Sequence, residues 1–164
     1  MSKNTPEVYH QRISTAFHTM IALPLAAFVY LFLEKKHNEL QPLLIDAYAV
    51  NGINISLTLL AAIVTYLAYR NFRHGVQSIA VDSLKEKLTR YGKISIQAYL
   101  YVGLAFVILV VGLIQTTSVL FIVFYVVLLF LLSLQRPTPA KYIRDLALEG
   151  EEKTIVRDKL EFKD

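Results

Sequence analysis

The fold class this sequence predicts is an all-helical integral membrane protein: four transmembrane helices in an antiparallel bundle, both termini cytoplasmic, with cytoplasmic helical extensions and a short helical tail. Three observations predict it. The run Ile94–Gln135 contains no Asp, Glu, Lys, Arg or His. About 20 apolar residues cross a hydrocarbon core about 30 Å thick, so this run holds two crossings. Hydrophobic residues make up 55% of the 164 and charged residues only 18%, below the quarter usual in soluble domains. Fifteen of the 17 Lys and Arg fall in the N-terminal segment, the second connection and the tail, against Lys35 and Lys36 in the first connection and none in the third. Cations in short flanks stay cytoplasmic, so those three segments share one side.

The elements follow in order. Met1–Arg12 is polar and lies at the membrane surface. Ile13–Leu33 carries no formal charge. It is longer than the apolar core of a signal peptide and no small-residue cleavage site follows, so a retained first crossing is expected. Pro24 lies inside it, lacks the N–H that would bond the Met20 carbonyl, and predicts a kink. Glu34–Leu44 is a short mixed-charge connection. The second crossing spans about residues 45–69, and a basic segment, 70–93, leads into the third crossing at 94–114. The tetrad Gln115–Ser118 is the turn before a fourth crossing at 119–135. Residues 1–135 therefore form one transmembrane domain, and 136–164 an amphipathic cytoplasmic tail.

Within the basic segment, Ser83 and Glu86 have the spacing of a capping box. A helix should start at Leu84 and run on into the third crossing. Asn71–Ala80 extends the second, and Phe72, Val76, Ile79, Leu84, Leu88 and Tyr91 face inward between the two. In the tail, Thr138 as N-cap and Pro139 at the first helical position start a helix that Gly150 ends. A further helical turn or two runs from Glu151 to Leu160, with Ile155, Val156 and Leu160 on one side.

The second crossing is the most polar. Asn51, Asn54, Thr58, Ala61, Thr65 and Ala68 are spaced by three and four and so share one helix face. Gly52 and Ser56 add a small-xxx-small pair beside it. Such a face is either a close-packing seam or the lining of a watery path. Ala98, Ala105 and Gly112 form a matching seam on the third crossing, predicted to pack seam to seam against the second. His18 is the one titratable imidazole inside a crossing and joins Asn51, Asn54, Thr58 and Thr65 as a candidate polar intramembrane face. Arg70, Arg73, Lys85, Arg90 and Lys93 are candidate contacts for anionic lipid headgroups. The acidic residues of the tail (Asp145, Glu149, Glu151, Glu152, Asp158) are expected to dock on this basic loop.

Several chemistries are excluded. There is no Cys, so no disulfide, thiol redox or thiolate metal site exists. No phosphate-binding loop, H-E-x-x-H helix or G-x-S-x-G elbow is present, and no crossing carries paired carboxylates. Neither cofactor nor metal is expected. His10 and His18 lie two turns apart, about 12 Å along a helix axis, too far to share an ion. The expected partners are the bilayer, a second copy or another membrane protein, and anionic lipid, not nucleic acid. The short connections fit a bacterial inner membrane. Two functional readings follow: a non-enzymatic interaction or accessory subunit, and a small oligomeric channel or transporter lined by the polar face of the second crossing. A lipid-modifying enzyme would have only His10, His18 and His74 to work with.

Overall fold

The computed structural model describes residues 5–37, 40–44, 46–79 and 83–162. Met1, Ile45 and Ala80, at the bounds of segments expected above, lie outside them. The described residues form six helices and no strand: α1 (Pro6–Lys36), α2 (Ala47–Gln77), α3 (Leu84–Thr116), α4 (Val119–Leu134), α5 (Pro139–Asp145) and α6 (Gly150–Asp158).

Three of these helices, α1, α2 and α3, are long and apolar enough to cross a membrane. With 31 to 33 residues each at 1.5 Å per residue they reach about 46–50 Å, so each extends well beyond a hydrocarbon core. The fourth unit is shorter. α4 has 16 residues, about 24 Å, and meets α5 at a bend of 80°. Its apolar wall is therefore marginal for a straight crossing.

Local chemistry sets the helix ends. Asp46 caps α2 by accepting from the Ala49 N–H at 2.9 Å, which satisfies one of the orphan donors at a helix start. Ser118 caps α4 in the same way, and Thr117, at φ 52°, makes the tight turn between α3 and α4. Ser83 stands at the start of α3 as expected, but its side chain makes no capping bond. The Glu86 carboxylate is turned to Arg90 at 3.2 Å instead, so the reciprocal bond of the capping box is not formed.

The tail corrects a second expectation. Thr138 caps α5 through Lys141 N, but the helix stops at Asp145 and Gly150 opens α6 instead of closing α5. The stop is a Schellman motif. Ala147 sits at φ 48°, its N–H bonds Arg144 O at 3.3 Å, and Leu148 N bonds Ile143 O at 2.9 Å, the paired closures of that cap. Glycine is the usual occupant of such a position, which is why Gly150 is the residue that local sequence favours there. An alanine held left-handed is strained by about 1–2 kcal/mol. Ala147→Gly is therefore expected to raise the thermal stability of the tail, read as slower proteolysis after Arg144. Ile155 and Val156 are both buried, but Leu160, expected on the same side, is exposed, because α6 ends at a left-handed Lys159.

α3 is the hub of the packing. Phe17 of α1 meets Tyr99 edge-on, with ring centroids 5.1 Å apart. Ile13 lies over Gly92. Phe106 meets Tyr125 of α4, which stacks on Phe28 of α1 at 3.8 Å. α1 runs through Pro24 as one helix. The Met20 carbonyl, left without its helical donor by Pro24, faces Gly103, where a Cβ would lie 3.5 Å away. The outside of the helices is the reverse of a soluble protein: Leu23, Tyr30, Ile55, Leu59, Ile63, Tyr66, Phe130 and Leu134 are all exposed. So many large apolar side chains in water would mark an aggregation site, and in lipid they are the solvent-facing surface.

Candidate functional site

Two polar assemblies stand at opposite ends of the long helices. At one end the first connection meets the α3–α4 turn: Lys35 Nζ bonds Thr117 O, and Leu44 N donates to Gln115 O at 3.1 Å. At the other end the N-terminal segment, the α2–α3 hairpin and the tail come together. Lys87 pairs with Glu152 at 2.8 Å, Lys159 with Glu7 at 2.9 Å, and Tyr9 meets Phe162 edge-on at 6.0 Å. Tyr91 donates to Asp145 Oδ2 at 2.9 Å. His10 Nδ1 and the Tyr142 hydroxyl are also 2.9 Å apart. Phe72, Val76, Ile79, Leu84, Leu88 and Tyr91 all join the core. The tail thus docks on the basic hairpin through Glu152 and Asp145.

Burial shifts the titrations in this cap. Desolvation pushes the Tyr91 phenol far above its ordinary value, and the Asp145 charge adds to it. Tyr142 is raised chiefly by burial. His10 is lowered, first by desolvation and then by the Lys159 charge.

The polar face of α2 is divided. Ala61 and Ala68 are buried, and Asn54 Oδ1 accepts from Thr116 Oγ1 of α3 at 2.8 Å. Thr65 donates back to the Ala61 carbonyl at 2.8 Å, and the Thr58 hydroxyl is buried without a partner among the described residues. Asn51 is exposed. His18 is exposed too, its Nδ1 2.7 Å from the Ser14 carbonyl, and does not join the α2 face. The seam-to-seam expectation holds only in part. Ala98 borders α2, but Gly112 turns to α4, where the Phe121 ring occupies the space its missing side chain leaves. Gly52 has nothing within 4 Å of where a Cβ would stand, and Ser56 is exposed. The small pair on α2 is therefore left exposed, and no other described residue packs into the space at Gly52.

The candidate headgroup contacts Arg70, Arg73, Lys85, Arg90 and Lys93 are all exposed. Arg90 is engaged by Glu86 and Arg73 by Tyr69, whose hydroxyl lies 3.2 Å away. The cation that burial singles out is Lys141, which a reading of the sequence passes over because it is one of seven in a charged tail. It is 8% exposed. Its Nζ is held by Gln135 Oε1 at 2.6 Å and Gln135 O at 3.1 Å, with the Phe72 ring 5.3 Å away. Desolvation lowers its pKa, opposed by Asp145. It borders a cavity of about 330 Å³ between α2 and α4, floored by Ala98, Tyr99 and Val102 of α3.

The chain matches no known protein family, no curated protein and no solved structure. Among the described residues no three His, Asp or Glu gather closely enough to hold a metal ion.

Proposed function

We propose that this protein is a non-enzymatic membrane subunit whose second helix recruits a helix of another chain. It would cross the bilayer four times as an up-down-up-down bundle, with both termini cytoplasmic. The contacts support that arrangement. Ile13–Gly92, Phe17–Tyr99 and Met20–Gly103 rise together along α1 and α3. Asn54–Thr116 and Gly75–Ile94 run in opposite senses along α2 and α3. The N-terminal segment, hairpin and tail, which hold the cation excess, meet at one end.

The observation that carries the reading is the unpartnered patch Asn51, Gly52 and Ser56 on α2. In lipid, helices associate through small residues that let backbones approach and through amides that bond across the interface. A glycine facing lipid gains nothing from it. The channel reading needs the polar stripe to see water, whereas Asn54 is bonded to Thr116 and Ala61 and Ala68 are covered.

The native absence of Cys makes the test clean. Ser56→Cys should give a defined disulfide or cross-linked adduct in native membranes, with a second copy or a discrete partner. Gly52→Leu should abolish it at unchanged melting temperature, since no described residue stands within 4 Å of a Cβ there. Asn54→Cys and Thr58→Cys should resist a water-soluble thiol reagent. A chain that stays monomeric at Ser56→Cys with no protein adduct sinks the recruitment reading, and rapid labelling at Asn54→Cys revives the channel.

A further inference from the structure

We propose that the cavity between α2 and α4 binds one acyl chain of an anionic phospholipid, whose headgroup is held by Lys141. The site begins with two small residues. Ala68 on α2 and Ala98 on α3 leave room where larger side chains would have closed the helices together, and the resulting slot of about 330 Å³ is almost wholly apolar. That volume is at the lower end of the range for specific ligand sites, about 300–1,000 Å³. Tyr69, Leu131 and Leu134 at its margin are exposed, so the slot opens sideways to hydrocarbon. A membrane lipid can enter by that route without leaving the bilayer.

The polar end of the slot supplies the charge. Burying an ammonium is costly unless it is paired, yet Lys141 makes no ion pair among the described residues. An ammonium has three N–H donors and no acceptor, and Gln135 takes two of them. The nearby carboxylate, Asp145, is engaged by Tyr91 at 2.9 Å and Arg144 at 3.4 Å. One donor of a desolvated cation is thus left for an anionic oxygen at the mouth of an apolar slot. A phosphodiester attached to an acyl chain satisfies both ends at once. Arg73, one turn beyond the lining residue Tyr69, and Arg136, next to the lining residue Gln135, are both exposed and add to the positive charge at this end of the chain. The site rests on the bilayer placement proposed above but not on the recruited helix, and its test is done on the purified chain in detergent.

The delipidated protein would be titrated with phosphatidylglycerol, phosphatidylcholine and oleate, each with the same acyl chain, and binding read by native mass spectrometry and by the shift in melting temperature. One phosphatidylglycerol per chain is expected, about tenfold tighter than phosphatidylcholine, whose choline cation offsets the charge of the same phosphodiester and is repelled by the buried Lys141 ammonium. Lys141→Gln should equalise the two lipids. Ala98→Phe, which fills the slot without touching the cation, should weaken both. Equal affinity of the wild type for the two phospholipids overturns the proposal, as does a preference that survives in Lys141→Gln. Oleate binding as tightly as phosphatidylglycerol would assign the site to a free fatty acid and overturn the phospholipid claim. If either variant fails to fold, the wild-type headgroup comparison alone decides.

Discussion

Gly112→Ala is expected to destabilise the detergent-solubilised protein by about 1–3 kcal/mol, the usual cost of overpacking a core. A Cβ at this position would lie 2.4 Å from both Cε1 and Cζ of Phe121 and 2.8 Å from Cδ1. Phe121 is fully buried, and the turn Thr117–Ser118 ties α4 to α3 two residues before the helix begins. The ring has nowhere to swing, so α4 must lift from α3. Phe121→Leu should cost stability alone by leaving a cavity, yet lessen the harm of Gly112→Ala in the double variant. Such non-additivity between contacting residues identifies a shared clash. A Gly112→Ala protein melting with the wild type would show that α4 is not seated on this glycine.

Tyr91→Phe is the second large effect, at about 1–3 kcal/mol. The phenol donates to Asp145, whose side chain is only 14% exposed. Removing it strips a mostly buried carboxylate of its best donor and unties the tail from the hairpin. A pH signature separates this from lost packing. Tyr91 has a folded pKa raised above the ordinary 10.0, so both states keep the proton below that value and its contribution is complete there. Above pH 10 the unfolded chain releases the proton while the folded one retains it, and stability falls as pH rises. The slope is about 1.4 kcal/mol per pH unit for one tyrosine. Lys141 works in the opposite sense, since alkali relieves its buried charge, so the decisive quantity is the difference between proteins. Melting curves from pH 9 to 11 should be shallower in Tyr91→Phe than in the wild type by that one proton. Equal slopes would mean that Tyr91 is not held in its protonated form by the fold.

The membrane character of this chain was legible in its sequence because a bilayer imposes a one-dimensional demand. Long uncharged runs and the placement of cations need no knowledge of which helix touches which. The start of α5 at Pro139 was legible because its cap, Thr138, is local chemistry within three residues, whereas α3 starts at Leu84 although Ser83 and Glu86 form no capping box. Where two local solutions compete, the reading failed. Ala147 took the left-handed position that Gly150 was expected to fill, because Leu148 is drawn into the core and sets where the chain must turn.

Partner choice was a different matter. The seam Ala98, Ala105 and Gly112 could be seen as small, yet a small residue states only that something comes close. Tertiary structure decided that Gly112 receives Phe121, that Ala98 opens a slot, and that Gly52 meets no other described residue. The same holds for charge. The cations of the tail look alike in sequence, and burial alone separates Lys141 from the others among the described residues. Sequence by itself determined where the long helices lie and that they are apolar enough to cross a membrane, through composition and spacing along one chain. Only the packed structure decided which faces are used up internally and which are left for lipid or a partner, because that depends on volumes and donors brought together from α2, α3, α4 and α5.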